Sequence, residues 1–341
     1  MATKDYVGVG PTLEPDVDDN DQANGDRSDS ASSSTSIASS VLNYRKENGR
    51  SYHRYKDGSY ILPNDEEEKE RLDLQHQMSL LTLDNKLHLS PIGDDVQRVL
   101  DVGTGTGIWA IEFADAHPKA QVVGNDLSPI QPKFVPPNCT FEVDDAEAQW
   151  TNSGKFDFIH ARMMVGSFRN WPRFLEQVYE FSYLFRHFAR NLNPGGWFEL
   201  HDMVFPIQCD DDSLTEDHAV YKWSAGMVEG MEKAGQSIVI GPKYKGWLKD
   251  AGFQDVTEVI YKWPISPWPK AEKEKLLGEW ERVNFLEGLP AFTLAIYTRL
   301  NGWTKEATED LMTEVRKNIN DKHVHGYFPI YVVYGRKPSA N

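Results

Sequence analysis

Residues 99–110 read Val99-Leu100-Asp101-Val102-Gly103-Thr104-Gly105-Thr106-Gly107-Ile108-Trp109-Ala110. A short apolar run ends in an acid, alternating glycines make a turn, and a helical pattern opens behind it. Glycine takes positive φ without steric penalty and lets a ligand come close to the backbone. A helix start offers N–H groups that have no partner inside the helix. Together these features suit a small ligand held at the end of a buried strand.

Two ligand chemistries compete for this loop. Gly105-Thr106-Gly107-Ile108-Trp109-Ala110 satisfies the dinucleotide pattern G-x-G-x-x-G/A, and Asp126 follows Gly107 by 19 residues, near the spacing of about 20 for a ribose-binding acid. Asp101 argues the other way. A carboxylate two residues before the first glycine lies close to the ligand, disfavours a pyrophosphate and suits a cation. S-adenosylmethionine (SAM) carries a sulfonium and an ammonium and no phosphate, so Asp-x-Gly-x-Gly-x-Gly favours SAM over NAD. Asp126-Leu127 ends a second apolar run, where a carboxylate can accept both ribose hydroxyls. Asp144-Asp145-Ala146 ends a third, where an acid can accept the adenine amino group. One such acid is ordinarily a solvated loop carboxylate. Three at successive strand ends mark the carboxyl edge on which open α/β sheets bind ligands. The expected cofactor residues are therefore Asp101, Gly103, Thr104, Gly105 and Gly107 in the loop, then Asp126 and Leu127, then Asp144, Asp145 and Ala146, with His160 after the fourth strand.

These residues need a sheet to bring them together. Apolar runs at Arg98–Val102, Gln121–Asn125, Cys139–Val143, Phe156–His160 and Trp197–Leu200 alternate with helical stretches, which predicts a parallel, doubly wound sheet. Ahead of them, Asn64 as cap and Glu66-Glu67-Glu68 in the first turn predict a helix running to about Leu87. After Met203 the pattern is helical over roughly 213–234, 242–251, 270–288 and 304–321, with Phe253–Trp263 and Tyr327–Tyr334 as two more strands of the same sheet. The expected fold class is α/β: a Rossmann-like, mostly parallel seven-stranded sheet. Two helical insertions, about 204–252 and 264–324, should cap its carboxyl edge. Trp263, Trp268, Trp280, Trp303 and Phe285 make that cap aromatic-rich, either as a flat apolar substrate pocket or as the cap's own core. The chain divides into a tail (1–43), a helical segment (44–92), a cofactor core (93–203), and cap insertions with terminal strands (204–341).

The set Val99–Gly107, Val123–Asp126, Asp144–Ala146 and Asn193–Gly196 resembles the class I SAM-dependent methyltransferases. More narrowly, Tyr60-Ile61-Leu62-Pro63-Asn64-Asp65, Asp126-Leu127-Ser128-Pro129-Ile130-Gln131-Pro132, Phe158-Ile159-His160-Ala161-Arg162 and Pro194-Gly195-Gly196-Trp197-Phe198-Glu199 resemble the fungal LaeA-like methyltransferases. The likeness covers about residue 44 to the C-terminus. It implies SAM binding, a Rossmann-like sheet ending in an antiparallel hairpin, and a role in fungal secondary metabolism. Some members are nuclear regulators acting with velvet proteins; others methylate small molecules. The chain departs from the family where Phe181–Ala189 lengthens a helix by roughly two to three turns, as a true extension or as retained intron sequence.

Methyl transfer from a sulfonium is an in-line displacement with a neutral sulfide leaving. Alignment is the main task, and such positioning supplies ~7–11 kcal/mol of barrier lowering. A phenol, carboxylic acid or amine acceptor also gives up a proton, for which His is the natural base near neutral pH. His160 and His201, after the fourth and fifth strands, are the candidates, each against the alternative of an imidazole satisfied by backbone. Arg162 is the third catalytic candidate, binding an acidic acceptor or only pairing with Asp157. His76 touches either the cofactor's methionine end or a packing interface.

Composition limits the rest. Lys+Arg 36 against Asp+Glu 52 gives a net charge of −16, which opposes nucleic acid as a partner. No apolar run reaches the ~18–20 residues of a membrane span. Two cysteines, Cys139 and Cys209, are too few for a disulfide framework or a zinc site, so no metal is expected. Residues 1–40 hold eight acids against Lys4 and Arg27 and a serine-rich run, the composition of a disordered tail. That tail is the one segment suited to a protein partner. The first reading is a cytoplasmic SAM-dependent methyltransferase acting on a small-molecule metabolite. The second is a LaeA-like nuclear regulator working in a protein complex, and an NAD-dependent oxidoreductase is a third.

Overall fold

The computed structural model describes residues 44–47, 50–52, 55, 62–151, 154–179 and 191–339; the acidic tail and the segment 181–189 lie outside them. Strands β1 (Arg45–Glu47) and β2 (Arg50–Tyr52) pair with each other alone. There follow α1 (Glu66–Thr82), β3 (Arg98–Val102), α2 (Ile108–Ala116), β4 (Gln121–Asp126), β5 (Cys139–Val143), β6 (Phe156–Arg162), α3 (Trp171–Val178) and β7 (Leu192–Met203). The C-terminal part adds α4 (Ala219–Lys233), α5 (Gly241–Ala251), β8 (Gln254–Pro264), α6 (Glu272–Leu294), α7 (Lys305–Ile319) and β9 (Tyr327–Arg336).

The main sheet has seven strands in the order β5-β4-β3-β6-β7-β9-β8. Strands β3 to β7 are parallel, and β9 runs antiparallel to both neighbours. This is the expected Rossmann-like α/β class. Val99, Leu100 and Val102 of β3 are fully buried, as a central strand covered on both faces requires. Strand order reverses at β3, so a crevice opens beyond the carboxyl ends of β3 and β6, and that is where the loop Gly103–Gly107 falls.

Three details differ from the expectations. Asp65, not Asn64, caps α1, accepting the Glu68 N–H; Asn64 is buried with its Oδ1 bonded to Ser51. The helix stops at Thr82 instead of near Leu87, because Asp84 (φ 55) and Asn85 (φ 62) turn the chain left-handed. Finally, α5 is not part of the cap. Tyr244 and Leu248 pack on one sheet face with Phe174, Phe198 and Val333. The cap is made by α1, α4, α6 and α7 around Met78, Trp223, Leu277, Phe285 and Val315.

Candidate active site

Asp101 leaves β3 pointing inward. It is 3% exposed, and its carboxylate accepts the Thr104 hydroxyl at 2.6 Å and the His160 Nδ1–H at 2.7 Å. Burial pushes its pKa up to about 6, with Thr104 and then Arg162 pulling it back. The carboxylate therefore fastens the glycine loop from behind and is not on the cavity wall, which corrects its expected approach to the ligand. His160 is equally enclosed. Its ring stacks on Trp109 at 3.9 Å, and burial holds its pKa well below 6.5. Donation from Nδ1 leaves Nε2 bare, and that atom has no hydrogen-bond partner.

A cavity of ≈ 260 Å³ opens in front of this loop. Gly103, Gly105, Asp126, Leu127, Asp144, Asp145 and Ala146 line it; Asp101, Thr104, Gly107 and His160 stand behind the wall. Asp126 joins two segments, its Oδ2 accepting the Gly105 N–H and its Oδ1 the Ser128 N–H, each at 2.9 Å. Gly107 is needed for a different reason from Gly105. At φ 82, a Cβ there would lie 2.4 Å from the Phe141 ring, whereas one on Gly105 would meet only Leu72 at 3.5 Å.

Arg162 also lines the cavity, and its Nη2 donates to His76 Nδ1 at 2.9 Å. A nitrogen that accepts from guanidinium is unprotonated, so His76 carries its proton on Nε2 and donates it to Glu112 at 2.9 Å. Burial, with Arg162 second, lowers His76 to about 3 and keeps it neutral. Burial also lowers Arg162, to about 10, against the pull of Asp101 and Glu112; it stays charged near neutrality. Asp157, the other expected partner of Arg162, instead accepts from the backbone of Gln97 and Arg98 and from Asn193.

His201 sits 3% exposed against Glu199, Nε2 to Oε1 at 2.5 Å. Burial raises the Glu199 pKa, but His201, Ser90 and the Leu89 N–H outweigh it and bring it down to about 2. Neither His160 nor His201 reaches the cavity wall. A base has to come within hydrogen-bond reach of its proton, so the expected placement of these two beside the acceptor is corrected.

Sequence reasoning missed the far end of the cavity. Met203, Phe205, Trp223, Met227, Phe285 and Phe328 make it apolar; of the five cap aromatics singled out, only Phe285 is on the wall. Beside them lies a buried polar chain. Arg71 grips both oxygens of Glu68 at 2.6 and 2.9 Å and donates to Asn284 Oδ1 at 2.9 Å, while Asn284 Nδ2 donates to Glu281 at 2.7 Å. The available signals are Glu68 with Arg71 at i,i+3 spacing on the N-terminal helix and Glu281 with Asn284 at the same spacing on a helix read as cap.

The sheet-side wall presents Asp126, Asp144, Asp145 and Glu147 with Arg162, and glycines where bulk would intrude. Carboxylates suit a sulfonium, an ammonium and a ribose diol, and would repel a pyrophosphate, so the residues present fit SAM. Sheet order, glycine loop and strand-end acids together define a class I SAM-dependent methyltransferase. The family described as "Methyltransferase domain" matches residues 74–258. The chain is 40% identical over 311 residues to methyltransferase pytC of Aspergillus terreus, covering 91% of this chain and 93% of that one. It is 35% identical over 307 residues to the probable methyltransferase tdiE of Emericella nidulans, covering 89% and 92%. It is 35% identical over 299 residues to the secondary metabolism regulator LAE1 of Cochliobolus heterostrophus, covering 86% and 94%. The chain belongs to the SAM-dependent methyltransferases, in their LaeA-like group, and SAM is its cofactor. Among the described residues, no helix is long and apolar enough to cross a membrane.

Proposed function

We propose that this enzyme transfers the SAM methyl group to a small, ring-bearing fungal metabolite. The observation that carries this reading is one continuous cavity, with strand-end acids at one side and an apolar chamber roofed by the cap at the other. Concave, mostly apolar sites with a few polar groups suit small ligands. When bound, SAM supplies an electrophilic methyl on a cationic sulfur. Asp126 would hold the ribose hydroxyls, Asp144 or Asp145 the adenine edge, and Arg162 the α-carboxylate. In this division residues 93–203 serve the cofactor, while 44–92 and 204–341 shape the acceptor chamber.

We place the reaction in the cytoplasm and leave the tail, residues 1–43, as the segment for any protein partner. A second reading, a nuclear regulator in a protein complex, is favoured by the relatives named as secondary metabolism regulators. Gene deletion with metabolite profiling separates the two. The enzyme reading expects one methylated product to disappear and its unmethylated precursor to accumulate. Silencing of several unrelated biosynthetic clusters, with no precursor accumulating, would refute it.

A further inference from the structure

We propose that Glu281 is the base that takes the proton from the methyl acceptor, and that the acceptor presents a hydroxyl to it; this rests on the small-molecule reading above. Eight charged side chains line the cavity among the described residues. Asp126, Asp144, Asp145, Glu147 and Arg162 stand at or just beyond the ends of β4, β5 and β6. Only Glu68, Arg71 and Glu281 come from the cap helices α1 and α6.

The first two of these neutralise each other. Arg71 meets both Glu68 oxygens and directs Nη1 to Asn284. Glu281 is left with one neutral donor, Asn284 Nδ2 on its Oε2, although it is 1% exposed. A buried carboxyl so weakly supported destabilises a fold relative to an apolar residue in its place. Burial drives its pKa up to about 8, with Asn284 and then Arg71 pulling it back. Groups that titrate near the operating pH are the effective proton acceptors. Around Glu281 and Asn284 the α4, α6 and strand side of the chamber is apolar, with Met203, Phe205, Trp223, Met227, Phe285 and Phe328, so these two are the polar groups that side offers an acceptor.

The acceptor class follows from that base. An ionised carboxylate would be set against Glu281. A neutral amine attacks through its own lone pair before losing a proton. A hydroxyl gains most, because its oxygen becomes strongly nucleophilic only as the O–H bond breaks. The electron pair of that bond stays on oxygen while the proton goes to Glu281. Oxygen then forms the new O–CH3 bond as the C–S bond breaks with its pair on sulfur. A sulfonium, a carboxylate and an alcohol become a thioether, a carboxylic acid and an ether, with charge conserved.

The test uses the full chain, SAM labelled in its methyl group, and 1-naphthol, 1-naphthylamine and 1-naphthoic acid as probes sharing one ring frame. Wild type should methylate 1-naphthol fastest. Glu281→Gln, a neutral isostere, should lower that kcat about 100-fold or more, the scale of general base catalysis, while calorimetric SAM affinity stays within about twofold. Naphthol turnover that survives Glu281→Gln within about threefold, or preference for the amine or the acid, overturns the proposal alone. A variant that loses SAM affinity also overturns it, since Glu281 would then act on the fold. SAM binding with none of the three probes methylated overturns the chamber reading and this proposal together.

Discussion

Replacing Asp126 by Asn tests the cofactor end most directly. The carboxylate fixes two backbone N–H groups, Gly105 and Ser128, each at 2.9 Å, and a carboxylate offers about four lone-pair sites in all. Asparagine removes the charge and turns one oxygen into NH2, which in either orientation faces a backbone N–H, that of Gly105 or of Ser128. A hydrogen bond to a charged group is worth about 1.5–3 kcal/mol. One such loss within the fold should lower stability by that amount. One such loss at the ligand should weaken SAM binding roughly 10- to 150-fold. Urea denaturation of the ligand-free protein reads the first quantity and calorimetric titration with SAM the second. Thr104→Val is the control, because its hydroxyl bonds Asp101 behind the loop and away from the cavity. It should destabilise while leaving SAM affinity within about threefold. If Asp126→Asn loses stability yet binds SAM like wild type, the ribose is not at Asp126 and the placement of the cofactor is wrong.

Gly107→Ala should destabilise by ~1–3 kcal/mol from overpacking against Phe141 and by ~1–2 kcal/mol from positive φ, and Phe141→Ala in the same chain should return only the packing part in urea melts. Burial holds the folded Glu281 carboxyl at about 8, above its ordinary 4.5, so its contribution to stability is full below about 4.5 and is lost as pH rises through about 8. Glu281→Gln should remove that loss and melt higher than wild type at pH 9, by an amount on the order of several kcal/mol; equal melting curves there would contradict the burial argument. Arg162→Met should weaken SAM about tenfold but leave the decarboxylated analogue nearly unchanged, and an equal loss for both would remove Arg162 from the carboxylate.

Strands were legible because β3, β6 and their neighbours are continuous apolar runs, and the acids were legible because a strand that ends in Asp delivers it to the edge. Which way each acid turns was not. Asp101 pairs in register with His160 across β3 and β6, so the two side chains are neighbours on one face of the sheet. Register of that kind is a property of two segments 59 residues apart, invisible in either one. The placement of α5 failed for a related reason. An amphipathic helix carries the same pattern whether its apolar side meets a sheet face or a cap. The Arg71–Asn284 bond spans 213 positions in sequence, and only the packing of α1 on α6 makes one site of Glu68, Arg71, Glu281 and Asn284.

Helix α1 is the element that relates the two ends of the cavity. Along its length it places Glu68 and Arg71 on the cavity wall, then Asp73 on the Thr106 hydroxyl of the glycine loop at 2.6 Å, then His76 on Arg162 at 2.9 Å. The Thr106–Asp73 bond therefore ties the glycine loop to a helix that packs on α6, the element carrying Glu281 and Asn284. The chemistry needs such a tie, because in-line transfer depends on the distance between acceptor oxygen and methyl carbon more than on any proton. A loop sheet edge alone would fix only the cofactor. On the proposed division of the cavity, α1 spans both ends and would couple the position of the acceptor to that of the cofactor.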